Sequence, residues 1–217
     1  AIVFTRSGST WTQQAKLTDS SGVSGDTFGN SVSLSSDGNT ALVGVNYANS
    51  GKGKALVFTR SGGTWSQQAT LTDSSGANSD NFGCSVALSG DGNTALIGSI
   101  NDTVTVNYQG SAVVFVKSGG TWSQQATLTS SSPSNASMFG ISVDLSYDGN
   151  IALIGAEQDY VSGIAKGAAY VFTRSGTSWS QQTKLSDSGG AVNDHFGHSV
   201  TLSNNGNIAL IGSPQDM

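Results

Sequence analysis

His195 and His198 bracket Phe196-Gly197, and Asp194 precedes them. Imidazole nitrogens and a carboxylate are ligands for a divalent transition metal. The trio occurs only once, and successive side chains of an extended chain point to opposite faces. A surface histidine pair is the simpler reading. Carboxylates recur more regularly, as Asp19 with Asp26, Asp73 with Asp80 and Asp187 with Asp194, while Ser130 and Ser137 stand in the remaining copy. Such pairs can hold a cation or sugar hydroxyls. In segments rich in Ser and Gly they more simply accept backbone N–H groups of turns. Trp11, Trp65, Trp122 and Trp179 offer flat faces on which a sugar could stack. Each begins an alternating segment and shares its face with a Leu, which points instead to packing between sheets. Cys84 is the single cysteine, so no disulfide forms within the chain. It occupies the repeat position held elsewhere by Asn30, Ile141 and His198, which is not how a nucleophile behaves. The sequence has no Gly-x-Ser-x-Gly elbow, phosphate-binding loop or zinc-ligand spacing. A carboxylate pair assembled across repeats stays open as catalytic chemistry, but no enzyme is expected. No cofactor or metal site is implied.

The elements that would position these residues are set by an internal repeat. The four Trp recur every 54 or 57 residues, and Phe28, Phe82, Phe139 and Phe196, each followed by Gly, keep the same intervals. Each unit reads as four strands. Phe-Gly-x-Ser-Val-x-Leu-Ser alternates, then an Asp-Gly-Asn turn leads to a short apolar run such as Ala95-Leu96-Ile97-Gly98. A variable loop precedes a third segment such as Ala55-Leu56-Val57-Phe58, and an Arg-Ser-Gly-Gly turn leads to Trp-Ser-Gln-Gln-Ala-Thr-Leu. Trp65, Gln67, Ala69 and Leu71 are expected on one face of that fourth strand. Apolar inner strands and a half-polar outer strand describe a four-stranded sheet covered on both faces, the blade of a β-propeller. A β-solenoid is the rival, but its coils need only about 20 to 30 residues. No helical periodicity is present.

Phe-Gly-x-Ser-Val, Asp-Gly-Asn, Ala-Leu-Ile-Gly and Gly-x-Ala-x-Val-Phe together resemble the FG-GAP repeat, in four copies across essentially all 217 residues. The resemblance implies a propeller related to that of integrin α subunits, and the Trp-x-Gln-Gln strand resembles the bacterial branch. Integrin-type blades carry a calcium loop of several aspartates between the first two strands. Here those loops are Ser36 to Asn39, Gly90 to Asn93, Tyr147 to Asn150 and Asn204 to Asn207, with one carboxylate or none. That is too few oxygen ligands for calcium.

The fold expected is therefore all-β, a single domain over residues 1-217 built of four-stranded antiparallel blades. The blades comprise residues 23-76, 77-133 and 134-190, and a split blade joins residues 1-22 with 195-217. The split blade closes a four-bladed ring, or is completed by a second copy to make an eight-bladed one, or the chain is a piece of a longer propeller. Intermolecular completion as a homodimer is favoured, because open sheet edges invite association.

Turns after strands one and three share a rim and barely vary; loops after strands two and four share the other and do. Recognition is expected on the variable rim, at Tyr47, Asn49, Asp102, Tyr108, Asp159 and Tyr160, with Asp26, Asp80 and Asp194 beside them. On the other rim Arg6, Arg60, Lys117 and Arg174 are expected to meet Asp37, Asp91 and Asp148, with no such contact at Asn205. A net charge of -5 with only 11% charged residues provides no basic stripe for nucleic acid and no attraction to anionic membranes. No membrane insertion is expected. These readings describe an extracellular or cell-surface adhesion module for protein or glycan. The alternatives are a lectin with one sugar site per blade and a structural surface array. Asn101 and Asn135 lie in sequons that matter only in a eukaryotic secretory pathway.

Overall fold

The computed structural model describes residues 1–216. Strands β1 (Ile2–Ser7) and β2 (Thr10–Lys16) form a hairpin. Three four-stranded antiparallel sheets follow, each in simple meander order. The first contains β3 (Val32–Leu34), β4 (Thr40–Val45), β5 (Lys54–Ser61) and β6 (Thr64–Leu71). The second contains β7 (Phe82–Leu88), β8 (Thr94–Ser99), β9 (Ser111–Ser118) and β10 (Thr121–Leu128). The third begins with β11 (Phe139–Leu145) and β12 (Ile151–Ala156). Its loop carries a small hairpin, β13 (Tyr160–Val161) with β14 (Ile164–Ala165), before β15 (Ala168–Ser175) and β16 (Ser178–Leu185) complete the sheet. A last hairpin joins β17 (Ser199–Leu202) to β18 (Ala209–Gly212). Among the described residues the one helical segment, Ala48–Gly51, is a single turn whose Asn49 and Ser50 are left-handed.

The cores lie between successive sheets. Leu42, Val57 and Leu71 of the first sheet pack on Phe82, Ile97 and Phe115 of the second. Leu96, Val114 and Leu128 of the second pack on Phe139, Ile154 and Phe172 of the third. The β1–β2 hairpin packs in the same way on the first sheet, through Val3, Ala15 and Leu17 against Val43 and Phe58. Every β8 residue is buried, as a strand covered on both faces requires, whereas β6 and β10 are half exposed. Within the sheets Phe28–Phe58, Phe82–Phe115 and Phe139–Phe172 repeat one edge-to-face contact at 6.1 to 6.2 Å.

Glycine sets how closely the sheets approach. A Cβ on Gly44, Gly98 or Gly155 would lie 2.1, 2.0 or 1.9 Å from the carbonyl oxygen of Gly83, Gly140 or Gly197 in the next sheet. The glycine ending one apolar run therefore abuts the Phe-Gly of the next repeat.

One expectation needs correction, and another is narrowed. The terminal hairpins form separate two-stranded sheets, so of the three completions expected for the split blade, a ring closed by pairing within one chain is not seen among the described residues. Each is held instead by the sheet beside it, β1–β2 by the first and β17 by the third, at opposite ends of the row. Simple alternation also fails in the fourth strand. Phe58 pairs with Gln67 but Val57 with Ala69, so Gln68 is the extra residue of a bulge, and the same shift recurs in the third sheet.

Candidate functional site

Loops after strands two and four meet on one rim because they bond to each other through backbone atoms. Tyr47 N–H donates to the Asp26 carbonyl, Asn101 to Asp80, Gln158 to Ser137 and Asn193 to Ala165. The loop entering strand one is left-handed just before the Phe in every copy, at Thr27, Asn81, Met138 and His195, with φ between 56° and 62°. Non-glycine residues held there mark a backbone over-determined by its surroundings.

Three tyrosines project from this rim. Tyr47, Tyr108 and Tyr160 are 54%, 58% and 53% exposed, and each comes from the strand-two loop of a different sheet. Asn49 is exposed beside Tyr47. In the second sheet Tyr108, Asp80 and Asp102 line one surface depression, joined by Asn78, Asn101 and Asn107. None of the three was expected in a binding site from the sequence, where Asn101 entered only as a sequon, because the depression joins two separate loops. Ser111 Oγ donates to Asp102 Oδ2 at 2.6 Å. Burial raises the Asp102 carboxyl above its ordinary value; Ser111 opposes this, and the charges of Asp80 and Asp73 add to it.

The other carboxylates on this rim are committed to structure. Asp26 Oδ2 accepts Val23 N–H at 2.9 Å, and Asp80 and Asp194 accept Ala77 and Ala191 in the same way. The first member of each pair also closes a turn, Asp19 with Ser21, Asp73 with Ser75 and Asp187 with Gly189; Ser130 replaces it by accepting Ser132 N–H. Asp159 is buried, while its neighbour Tyr160 points outward. Asp159 accepts Tyr170 O–H and Ser134 O–H, and Lys184 Nζ lies 2.8 Å away. Lys54 pairs with Asp19 at 2.6 Å with both side chains buried.

Asp194 also stands with Asp187 and Asp216, whose carboxylate oxygens lie within 4.8 Å of one another. Among the described residues this is the one grouping with the proximity a cation needs. His195 and His198 instead converge on Glu157, His198 Nδ1 at 2.6 Å and His195 Nδ1 at 3.6 Å. Glu157, unnoticed in the sequence, comes from the strand-two loop of the neighbouring sheet. Cys84 is half-buried, and desolvation pushes its thiol up to about 11, far from a thiolate at neutral pH.

The opposite rim is a set of repeated turns. Asp37 accepts Ser35 O–H, Asn39 N–H and Asn39 Nδ2–H, and Asp91 and Asp148 do the same with their own neighbours. In the fourth copy Asn205 Oδ1 accepts the corresponding Ser203 O–H and Asn207 backbone N–H. These bonds occupy the carboxylates, so the expected Arg–Asp contacts do not form. Arg60 Nε donates to Asn39 Oδ1 at 3.0 Å, and Arg174 Nε to Asn150 Oδ1 at 2.9 Å. The same guanidinium groups lie over Trp65 and Trp179. Each inner Trp then clasps the preceding sheet. Trp65, Trp122 and Trp179 donate Nε1–H to Gln14, Gln68 and Gln125 at 2.9 Å. The Trp side chains are thus part of the inter-sheet joint rather than a stacking platform.

The model of the FG-GAP repeat matches residues 11–58, 65–115, 122–172 and 179–217. No curated protein sequence matches the chain. Among solved structures, a putative 6-phosphogluconolactonase from Bacteroides uniformis is similar at a TM-score of 0.57 and 13% identity, over 83% of this chain and 46% of that one. TolB from Acinetobacter baumannii is similar at 0.47 and 13%, over 83% and 36%. The chain therefore spans less than half the length of either, and these likenesses concern the fold alone. Four matches, the row of face-packed four-stranded sheets and the glycine contacts between them agree: the chain belongs to the FG-GAP repeat family, with a β-propeller-like fold.

Proposed function

We propose that this chain is a non-enzymatic binding module of the cell surface or extracellular space, and that it recognises protein or glycan through its variable rim. The observation that carries the reading is the row of exposed tyrosines, Tyr47, Tyr108 and Tyr160, one per intact sheet and all on the same rim. Large rigid side chains that are polar at the tip give contact area at low entropic cost. The opposite rim is nearly invariant and its polar groups are used up in turns. A non-enzymatic role is supported by the state of the titratable groups: Asp159 is sealed against Tyr170 and Lys184, and Asp26, Asp80 and Asp194 close turns. A glycan is favoured at the second sheet, where Tyr108 borders a depression lined by Asp80, Asp102 and three asparagines.

The test is display of the labelled chain on a glycan array and on an array of immobilised secreted proteins. The triple variant Tyr47→Ser, Tyr108→Ser, Tyr160→Ser should lose at least about tenfold in signal. Tyr147→Ser, on the other rim, should lose none. Retained binding by the triple variant would refute the assignment. Loss confined to Tyr108→Ser on sugars would select the lectin reading.

A further inference from the structure

The rim of the second sheet keeps its carboxylates but not the lysines that serve them beside the other sheets. Lys54, one residue after Gly53, holds Asp19 at 2.6 Å. Lys184, five residues after Trp179, holds Asp159 at 2.8 Å. Both carboxylates have equivalents at the second sheet. Asp73 follows Trp65 by eight residues as Asp19 follows Trp11, and Asp102 follows Gly98 by four as Asp159 follows Gly155. The two lysine positions, however, hold Ser111 and Thr127. Asp73, Asp80 and Asp102 are each 6% exposed, and among the described residues no lysine, arginine or histidine pairs with any of them. Ser111 gives Asp102 one neutral hydrogen bond. Burial, with the charges of Asp80 and Asp73, still holds the Asp102 carboxyl above its ordinary value, as befits a carboxylate short of a cation.

We propose, building on the glycan reading of this sheet, that the depression beside Tyr108 binds an amino sugar, its protonated amine on Asp102 and its hydroxyls on the surrounding amides. The ligand's ammonium takes on Asp102 the place that Lys184 Nζ has on Asp159, as a charge-assisted hydrogen bond. Three carboxylates with no paired cation repel sugars that carry acid groups. The depression measures about 370 Å³, the size of a small-ligand site. Its wall around Asp102 holds Asn78, Asn101, Asn107 and Thr103 rather than apolar side chains. A lysine side chain would bring there only a hydrocarbon stem behind its charge. An amino sugar carries hydroxyls on the carbons next to its amine, and amides and hydroxyls both donate to and accept from them. Tyr108, 58% exposed, gives the pyranose ring a flat face. A second depression of about 440 Å³, lined by Ala136, Met138 and Gln158, shares Asn101 and Tyr108 with the first. A chain of such sugars thus continues past Tyr108 towards the third sheet.

The test is calorimetric titration of the chain with the β-linked glucosamine tetramer, at about pH 6, where amines are protonated, and about 0.15 M salt. The tetramer should bind at least about tenfold more tightly than its fully N-acetylated counterpart, which keeps every ring and loses the charge. Asp102→Asn should abolish that preference. Thr127→Lys puts a lysine at the repeat position of Lys184, on an exposed part of its strand, and so serves even if Asp102→Asn does not fold. It should occupy Asp102 from within and weaken the glucosamine tetramer by at least about tenfold. Equal affinity for the two tetramers overturns the amine site and leaves the glycan reading standing. Undiminished affinity of Thr127→Lys overturns the placement on Asp102. Tetralysine binding as tightly as the glucosamine tetramer overturns the sugar in favour of a basic peptide, and the glycan reading of this sheet falls with it. No binding of either tetramer also overturns the proposal, and the remaining sugars of the glycan array then decide the wider reading.

Discussion

Replacing Gly98 by Ala adds one methyl group where two sheets touch. Its Cβ would lie 2.0 Å from the Gly140 carbonyl oxygen and 2.3 Å from Ser85 Oγ. Neither neighbour can yield alone, because Ser85 Oγ donates to that same carbonyl at 2.7 Å and the group is buried. The second and third sheets must therefore separate by about 1 Å or the hydrogen bond must break. Overpacking of this kind costs roughly 1–3 kcal/mol. Loss of the buried hydrogen bond adds about 1 kcal/mol. The expected destabilisation is thus about 2–4 kcal/mol, read as a lower urea midpoint at unchanged m-value and fixed protein concentration. Gly44→Ala and Gly155→Ala meet the equivalent carbonyls and should behave alike. Gly189→Ala is the control, since its nearest neighbour is Asp187 Oδ2 at 3.7 Å, and it should stay within about 0.5 kcal/mol. Gly212 faces chiefly the movable hydroxyl of Ser199, so Gly212→Ala should cost less than Gly98→Ala. If Gly98→Ala stayed within 0.5 kcal/mol of the parent, the sheets would not be in contact through these glycines, and the arrangement of the two rims would lose its basis.

Trp179 and Gln125 should prove coupled. Trp179→Phe removes the Nε1 donor, Gln125→Ala removes the acceptor, and the double variant should fall short of their sum by about 1 kcal/mol in urea unfolding; strict additivity would refute the clasp. Acid should weaken the fold through the turn aspartates. Hydrogen bonds from Ser35 and Asn39 hold the Asp37 carboxyl at about 2 against an ordinary 3.8. Ser146 and Asn150 lower Asp148, and Ser89 and Asn93 lower Asp91 against its burial. A depressed folded-state value contributes stability above the unfolded value that is lost as the pH falls through the folded one, here between about pH 4 and 2. Asp102 has the opposite sign: its raised value favours the folded state at low pH and opposes it as the pH rises. Asn205 already closes the same turn without titrating. Asp37→Asn, Asp91→Asn and Asp148→Asn together should accordingly flatten the acid limb of the urea midpoint from pH 5 to 2. An unchanged limb would assign acid sensitivity elsewhere.

What could be read in the sequence was whatever the fold demands in every copy. The Phe-Gly and apolar-run glycines recur because each sheet must approach the next in the same way, so repetition itself betrays the contact. The Trp recurs for the same reason, and its packing role follows from its fixed place. The glutamines were also on view. A polar doublet interrupting an alternating strand in every copy is what a bulge looks like in one dimension, and simple alternation overlooked it. The Arg partners were misassigned because Asp and Asn stand two residues apart in one tight turn. Which of them faces the guanidinium depends on the turn consuming the carboxylate first.

The variable rim obeys the reverse logic. Lys54 on Asp19, Tyr170 and Lys184 on Asp159, and Glu157 beneath two histidines each occur in a single copy. Nothing in the repeat predicts them, because they join loops that differ between copies. The same holds for the depression around Tyr108, where Asn78 and Asn101 come from loops that only the folded sheet brings together. A surface that recognises a ligand has no reason to repeat, whereas a joint between sheets has every reason to. Within one chain, the departures from the repeat that remain exposed are therefore where binding should be sought. Tyr47, Tyr108 and Tyr160 are departures of that kind, while Asp159, equally variable, is withdrawn from solvent by its own partners.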